Sequence, residues 1–272
     1  MPYPLAEVLS VTEKLWPVAG AEGWDAPGLV TGSPDQQVSS IHLVVDAVAE
    51  SLDEAVAAGA DLVIAHHPLL LRGVTSVAET QYKGAAVATL IRAGVALLSA
   101  HTNADVVADG TSAVFARKLG LESLRPIVPG AADGTGIGRV GTLAKATTLG
   151  RLARQVAELL PPTAGGVRVA GSYELPVREI ALCGGAGDAY LAEPAVRAAD
   201  VYITSDLRHH PASEAREQHL RGAGPALIDV SHWASEWLWL ETAADQLRGA
   251  LPEASVTVSE LRTDPWDFAV VQ

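Results

Sequence analysis

Residues 40 to 70 read SIHLVVDAVAESLDEAVAAGADLVIAHHPLL, and the alternation inside this stretch decides the fold. An apolar run (SIHLVVDA, 40–47) precedes a segment of alanines and acidic residues at helical spacing (SLDEAVAAG, 51–59), and a second apolar run follows (DLVIA, 61–65). Two strand-like runs joined by a helix predict a strand–helix–strand unit, because parallel strands need a crossover connection. Outward from it, the same texture predicts a helix over 79–93, a strand at VALLSA (95–100) and a helix over 110–119. Such alternation is the pattern of an α/β fold with helices flanking a sheet.

Before the unit, Leu5, Val8, Leu9, Thr12 and Leu15 follow a helical period that stops before Pro17, which predicts an opening amphipathic helix. Beyond it, between residues 120 and 150, Pro126, Pro129 and glycines at 120, 130, 134, 136, 138 and 141 interrupt the alternation and mark a domain junction. The pattern then resumes, with a helix at 148–160, strands near 166–171 and 177–183, and a helix at 189–198. A strand at 200–204, a helix at 211–220, a strand at 225–229 and a long helix at 233–248 complete it. The halves also align without a gap, IHLVVDA at 41 with IALCGGA at 180 and GADLVIA at 59 with AADVYIT at 198. Duplication of one unit explains this, and so does a shared Ala-Asp helix end before a strand.

Composition narrows the function classes. Of 272 residues 49% are hydrophobic, enough for a substantial core. A net charge of −13, with only 19 Lys and Arg, argues against nucleic acid as a partner, since phosphate neutralisation needs clustered cations. Cys183 is the single cysteine, so no internal disulfide forms, and its apolar setting in EIALCGG suits a small buried hydrophobe. Neither a leader's apolar core nor the roughly 20 apolar residues of a membrane span is found, and a cytoplasmic location is expected.

Five side chains stand at or just after predicted strand ends, where open α/β sheets place their sites. They are His66 and His67, Asp105 in SAHTNADVVADG (99–110), and His232 with Glu236 in IDVSHWASEW (228–237). Adjacent histidines diverge on an extended backbone, so the pair suits two ions better than one. His232 and Glu236, four apart on a helix, share one face; the same spacing also occurs in ordinary surface contacts. Imidazoles and carboxylates without thiolate suit Zn, Mn, Fe, Co or Ni.

The strings WDAPGLVTG (24–32), DLVIAHHPLL (61–70), HTNADVVADGTS (101–112), GIGRVGTL (136–143), GGAGDAYL (184–191), DVYITSDLRHH (200–210) and DVSHWASE (229–236) occur in this order. Together, from residue 24 to the DPWDFAV tail, the chain resembles the NIF-three-like family, whose members often carry the label GTP cyclohydrolase I type 2 homolog. Departures are Ala26 after the WD pair, Ser205 in the TSD turn and Ser231 before His232. The resemblance implies two similar α/β domains with mixed sheets flanked by helices, 1–126 completed by 232–272, and 127–231. It further implies a homohexameric toroid whose subunits each hold two divalent metal ions on His66, His67, Asp105, His232 and Glu236, the last bridging.

Other polar groups offer roles beside that set. His101 is placed to orient Asp105, to touch substrate or to cap its strand. Asp206, His209 and His210 follow the strand in the second half and offer acid or base groups, or form a solvated helix start. GTGIGRVG (134–141) precedes a strand, which excludes a dinucleotide fingerprint. GGAGDAYL follows a strand, so its amides either hold an anion or make a tight turn. The expected activity is metal-dependent hydrolysis of a small-molecule phosphoester or nucleotide, with Glu236, His101 and Asp206 as candidate catalytic groups. The alternative is a non-enzymatic toroidal metal-binding or regulatory protein.

Overall fold

The computed structural model describes residues 2–270. In chain order its elements begin β1 (Tyr3–Pro4), α1 (Leu5–Leu15), β2 (Gly28–Thr31), β3 (Gln37–Val38), β4 (Ser40–Asp46), α2 (Ala49–Ala57), β5 (Leu62–His67), α3 (Tyr82–Ala93) and β6 (Ala96–Ser99). They continue with α4 (Thr102–Asp105), α5 (Thr111–Lys118), β7 (Leu121–Arg125), β8 (Val128–Pro129), β9 (Gly136–Ile137), β10 (Arg139–Thr148), α6 (Leu149–Leu159), β11 (Arg168–Ala170) and β12 (Pro176–Ala186). The last are α7 (Pro194–Arg197), β13 (Val201–Ser205), α8 (His209–Leu220), β14 (Ala226–Val230), α9 (His232–Ala250) and β15 (Ser255–Val258). Two compact units result, one up to Ala104 with Leu240–Thr263, the other Asp105–Trp239 with residues from Asp264 onward. Among the described residues no helix is long and apolar enough to cross a membrane.

The first unit is built on a five-stranded sheet ordered β15-β4-β5-β6-β2. β15, β4, β5 and β6 are parallel and β2 closes the edge antiparallel to β6. Covered parallel strands read as continuous apolar runs, and Leu43 to Val45 and Leu62 to Ala65 are all buried. α2 and α3 cover one face, packing Leu52, Ala55 and Leu90 on Val44, Val63 and Leu97. α3 stops at Gly94, whose φ of 70° supplies the left-handed cap that a glycine adopts without strain.

The second unit carries a six-stranded sheet ordered β11-β14-β13-β12-β10-β7. β12, β13 and β14 run parallel, and β10 and β11 are antiparallel to their neighbours. Each unit is thus a mixed sheet flanked by helices. The 120–150 stretch, expected to break the pattern, instead supplies β7 and the ten-residue β10, paired to each other. β7 therefore belongs with the second sheet, and the unit boundary at 104/105 lies ahead of the expected 126/127. The helix expected at 189–198 is a 3₁₀ turn at Asp188–Tyr190 followed by α7. Glu193, extended ahead of Pro194, separates them, because a residue before proline is pushed out of helical conformation.

The repeat at an offset of 139 residues is physical. Ile41 pairs with Leu62 and Leu43 with Ile64, as Ile180 pairs with Val201 and Leu182 with Ile203. Asp61 Oδ2 accepts from the amides of Ser39 (2.7 Å) and Ser40 (3.0 Å). Asp200 Oδ2 does the same for Arg178 and Glu179, both at 2.8 Å. The Ala-Asp signature is therefore a carboxylate that caps the start of the neighbouring strand in both halves.

Candidate metal centre

In the first unit β5 ends on His66 and His67, and the chain leaving the adjacent β6 brings His101 beside them. One ring nitrogen from each of the three lies within 4.8 Å of the others. The His66 and His67 rings were expected to diverge; they stay 5.1 Å apart, and His101 lies 5.3 and 5.5 Å from them. His66 Nδ1 donates to the Ala100 carbonyl at 2.8 Å. A carbonyl can only accept, so the proton sits on Nδ1 and the lone pair on Nε2.

Carboxylates make the same arrangement for the other two. His67 Nδ1 lies 2.7 Å from Asp46 Oδ1, the residue paired with it across β4 and β5. His101 Nδ1 lies 2.7 Å from Asp25 Oδ1. The Asp25 side chain is 0% exposed and also accepts from the Thr102 amide at 3.0 Å, the Thr102 hydroxyl and the Ala26 amide. Burial alone would raise its pKa, but the bonds from Thr102 and His101 outweigh burial and hold the carboxyl below its ordinary range. An ionised partner on Nδ1 makes each Nε2 a stronger donor to a cation.

In the second unit His232 opens α9, with Nδ1 2.7 Å from Asp206 Oδ2 and Nε2 3.1 Å from Glu236 Oε1 one turn on. Burial lowers the His232 pKa, yet the charges of Glu236 and Asp206 more than reverse this and lift it well above the ordinary value. Asp206 holds a φ of 56°, a left-handed conformation that Asp tolerates better than most residues. It follows β13 directly, and its carboxylate receives the His232 ring. Glu236 is only 3% exposed. Asp105, at the end of α4, accepts from the Thr111 hydroxyl.

The glycines of GGAGDAYL have a specific reason. A Cβ on Gly185, at φ 70°, would overlap Glu236 Oε1 and come within 3.2 Å of His232 Nε2. The amides of Gly184 and Gly185 are taken by the hydroxyls of Ser112 (3.0 Å) and Ser235 (2.9 Å), so they are not the anion cradle that the motif suggested. Cys183 is buried beside this group. Desolvation, and then the charges of Asp105 and Glu236, push its pKa up to about 12, so it remains a thiol as expected. His209 and His210 begin α8 on its exposed side, their rings 5.2 Å apart.

Sequence reasoning overlooked Asp25 and Asp46, the carboxylates behind His101 and His67. A signal existed for Asp46, which ends the strand beside the histidine strand. Arg139 was also missed: buried, it donates to the carbonyls of Gly136, Gly138 and Val107, each at 2.7 Å. It ties the loop that follows Asp105 to the turn before β10.

The donor chemistry fits divalent transition metals: imidazoles with their lone pairs on Nε2, carboxylates beside them and no thiolate. The model of the Duf34/NIF3 (NGG1p interacting factor 3) family matches residues 4–265. A Streptomyces coelicolor protein named GTP cyclohydrolase 1 type 2 homolog is 46% identical over 269 residues, covering 96% of this chain and 93% of that one. A Mycobacterium tuberculosis protein of the same name is 33% identical over 379 residues and covers 98% of each. A solved Bacillus cereus protein related to NIF3 has the same fold, with a TM-score of 0.89 at 22% identity over 98% of this chain and 99% of that one. The chain belongs to the Duf34/NIF3 family.

Proposed function

We propose that each subunit holds two divalent metal ions on His66, His67, Asp105, His232 and Glu236, and hydrolyses a nucleotide or another phosphoester. The observation that carries this reading is the uniform anchoring of the imidazoles. His66, His67, His101 and His232 each engage an oxygen through Nδ1, the arrangement that presents Nε2 to a metal. Glu236, buried with Oε1 toward His232, is suited to bridge. When bound, such ions act as Lewis acids toward water and phosphoryl oxygens. The chain's own part is to fix the donors: Asp46, Asp25 and Asp206 hold protons at Nδ1, and Gly185 leaves room for the Glu236 carboxylate.

The name GTP cyclohydrolase 1 type 2 homolog, borne by relatives, makes GTP one substrate to test beside phosphomonoesters, phosphodiesters and cyclic nucleotides. Bound metal should fall in His66→Ala, His67→Ala and Glu236→Gln while circular dichroism stays that of wild type; full metal content in all three would refute the ligand set. Turnover by metal-loaded wild type should be lost in Glu236→Gln. Full metal occupancy with no turnover of any substrate would favour a non-enzymatic metal-binding or regulatory role. The same reading expects a homohexamer, which light scattering would report as six copies of the 28.2 kDa chain.

A further inference from the structure

The loop ahead of β2 carries an indole that the metal ligands do not account for. Trp24 is 62% exposed, yet the chain on both sides of it is fixed. The Glu22 amide donates to Thr102 Oγ1 at 2.9 Å, and the buried Asp25 carboxylate accepts from the Thr102 amide and hydroxyl. The Asp25 amide closes a turn onto the Glu22 carbonyl at 3.0 Å. A large apolar ring is thus held out in solvent by a loop with little freedom to fold it away.

Its position is informative. The indole meets the His101 ring nearly at right angles, 76° between planes and 5.8 Å between centroids. His101 belongs to the group of three histidines able to hold an ion. A perpendicular contact leaves at least one indole face clear of that imidazole. Planar heteroaromatic rings stack on such faces, and Trp loses little conformational freedom in receiving them.

We propose that Trp24 is a stacking platform for a nucleobase, so that the substrate's flat ring rests on the indole while its phosphoryl end is directed to the ions. This rests on the hydrolase reading above and deepens it to nucleotides. Stacking on an aromatic side chain contributes about 1–3 kcal/mol per base, or roughly a 5- to 150-fold change in dissociation constant.

The test uses full-length, zinc-loaded protein and two probes, guanosine 5′-monophosphate and inorganic phosphate, titrated by calorimetry into wild type, Trp24→Ala and Trp24→Phe. Trp24→Ala should weaken the nucleotide about tenfold or more and leave phosphate and zinc content unchanged, and Trp24→Phe should recover most of the loss. Wild type that binds phosphate but gains nothing from the guanosine overturns the platform and leaves the phosphoester reading standing. Equal loss of both probes in Trp24→Ala also overturns it, as does a smaller assembly by light scattering, which would assign the indole to a contact between copies. Zinc-loaded wild type that binds neither probe removes both proposals.

Discussion

Two of the candidate ligand imidazoles are each oriented by a carboxylate outside the proposed ligand set: Asp46 holds His67 and Asp206 holds His232, both at 2.7 Å, while Asp25 does the same for His101 beside them. Partners of this kind typically contribute 10- to 100-fold to metal affinity. Asp46→Ala should therefore weaken zinc binding about 10- to 100-fold in competition with a chromophoric chelator, and unchanged affinity would remove Asp46 from the centre. Gly185→Ala should have a comparable effect for a steric reason, because its methyl would occupy the place of Glu236 Oε1. His232 adds a pH dependence. Its folded pKa is raised, so without metal its imidazolium stabilises the fold below the unfolded value of about 6.5, and that contribution disappears as pH rises through the raised value. A cation must displace this proton. Zinc affinity should accordingly keep rising above about pH 6.5, and in Asp206→Asn the rise should end at lower pH. A flat profile in wild type would show that His232 is not a ligand.

At the scale of elements, legibility followed apolar continuity. β4, β5, β6 and β13 were readable because parallel strands covered by helices are apolar throughout, and α6 because it runs amphipathic from a Thr148 cap. The extent of β10 was hidden because glycine composition resembles a linker, and a strand was expected only after residue 141, whereas it begins at Arg139. Yet Gly141 lies inside the strand, where a Cβ would run into Leu124 and the Glu122 carbonyl, and the pairing with β7 shifts there. The strand end at His66 and His67 stood out because a polar pair closing an apolar run has few structural uses. Asp25 did not, since its partner, His101, lies 76 positions away and only the folded chain brings them together. Arg139 escaped for a related reason: its acceptors are backbone carbonyls, which no residue pattern announces. Arg139→Met should remove a buried charged donor from these carbonyls and destabilise the fold by at least about 2 kcal/mol, read as a lower urea midpoint. An unchanged midpoint would mean that water replaces the guanidinium.

Across the whole molecule the two halves share a strand–helix–strand frame but assign its corresponding ends differently. At the offset of 139 residues His66 and His67 correspond to Ser205 and Asp206, and Asp46 corresponds to Gly185. The first half presents imidazoles and keeps a carboxylate behind one of them. The second uses the place of His67 for the carboxylate that orients His232, and the place of Asp46 for the glycine that makes room for Glu236. In the first half His66 and His67 at the end of β5 and His101 after β6 meet only in the folded chain, so a metal held there would bind the folded state in preference to the unfolded one. At about 100 times its dissociation constant, a single ion adds roughly 2.7 kcal/mol, which for a chain of this size corresponds to an increase in Tm of about 5 °C. Scanning calorimetry should show at least that rise with zinc over chelator-treated protein, and Asp46→Ala should need proportionately more zinc to reach it. Equal Tm with zinc and with chelator would mean that the donors are not assembled to hold an ion, and the dinuclear reading would fall with them.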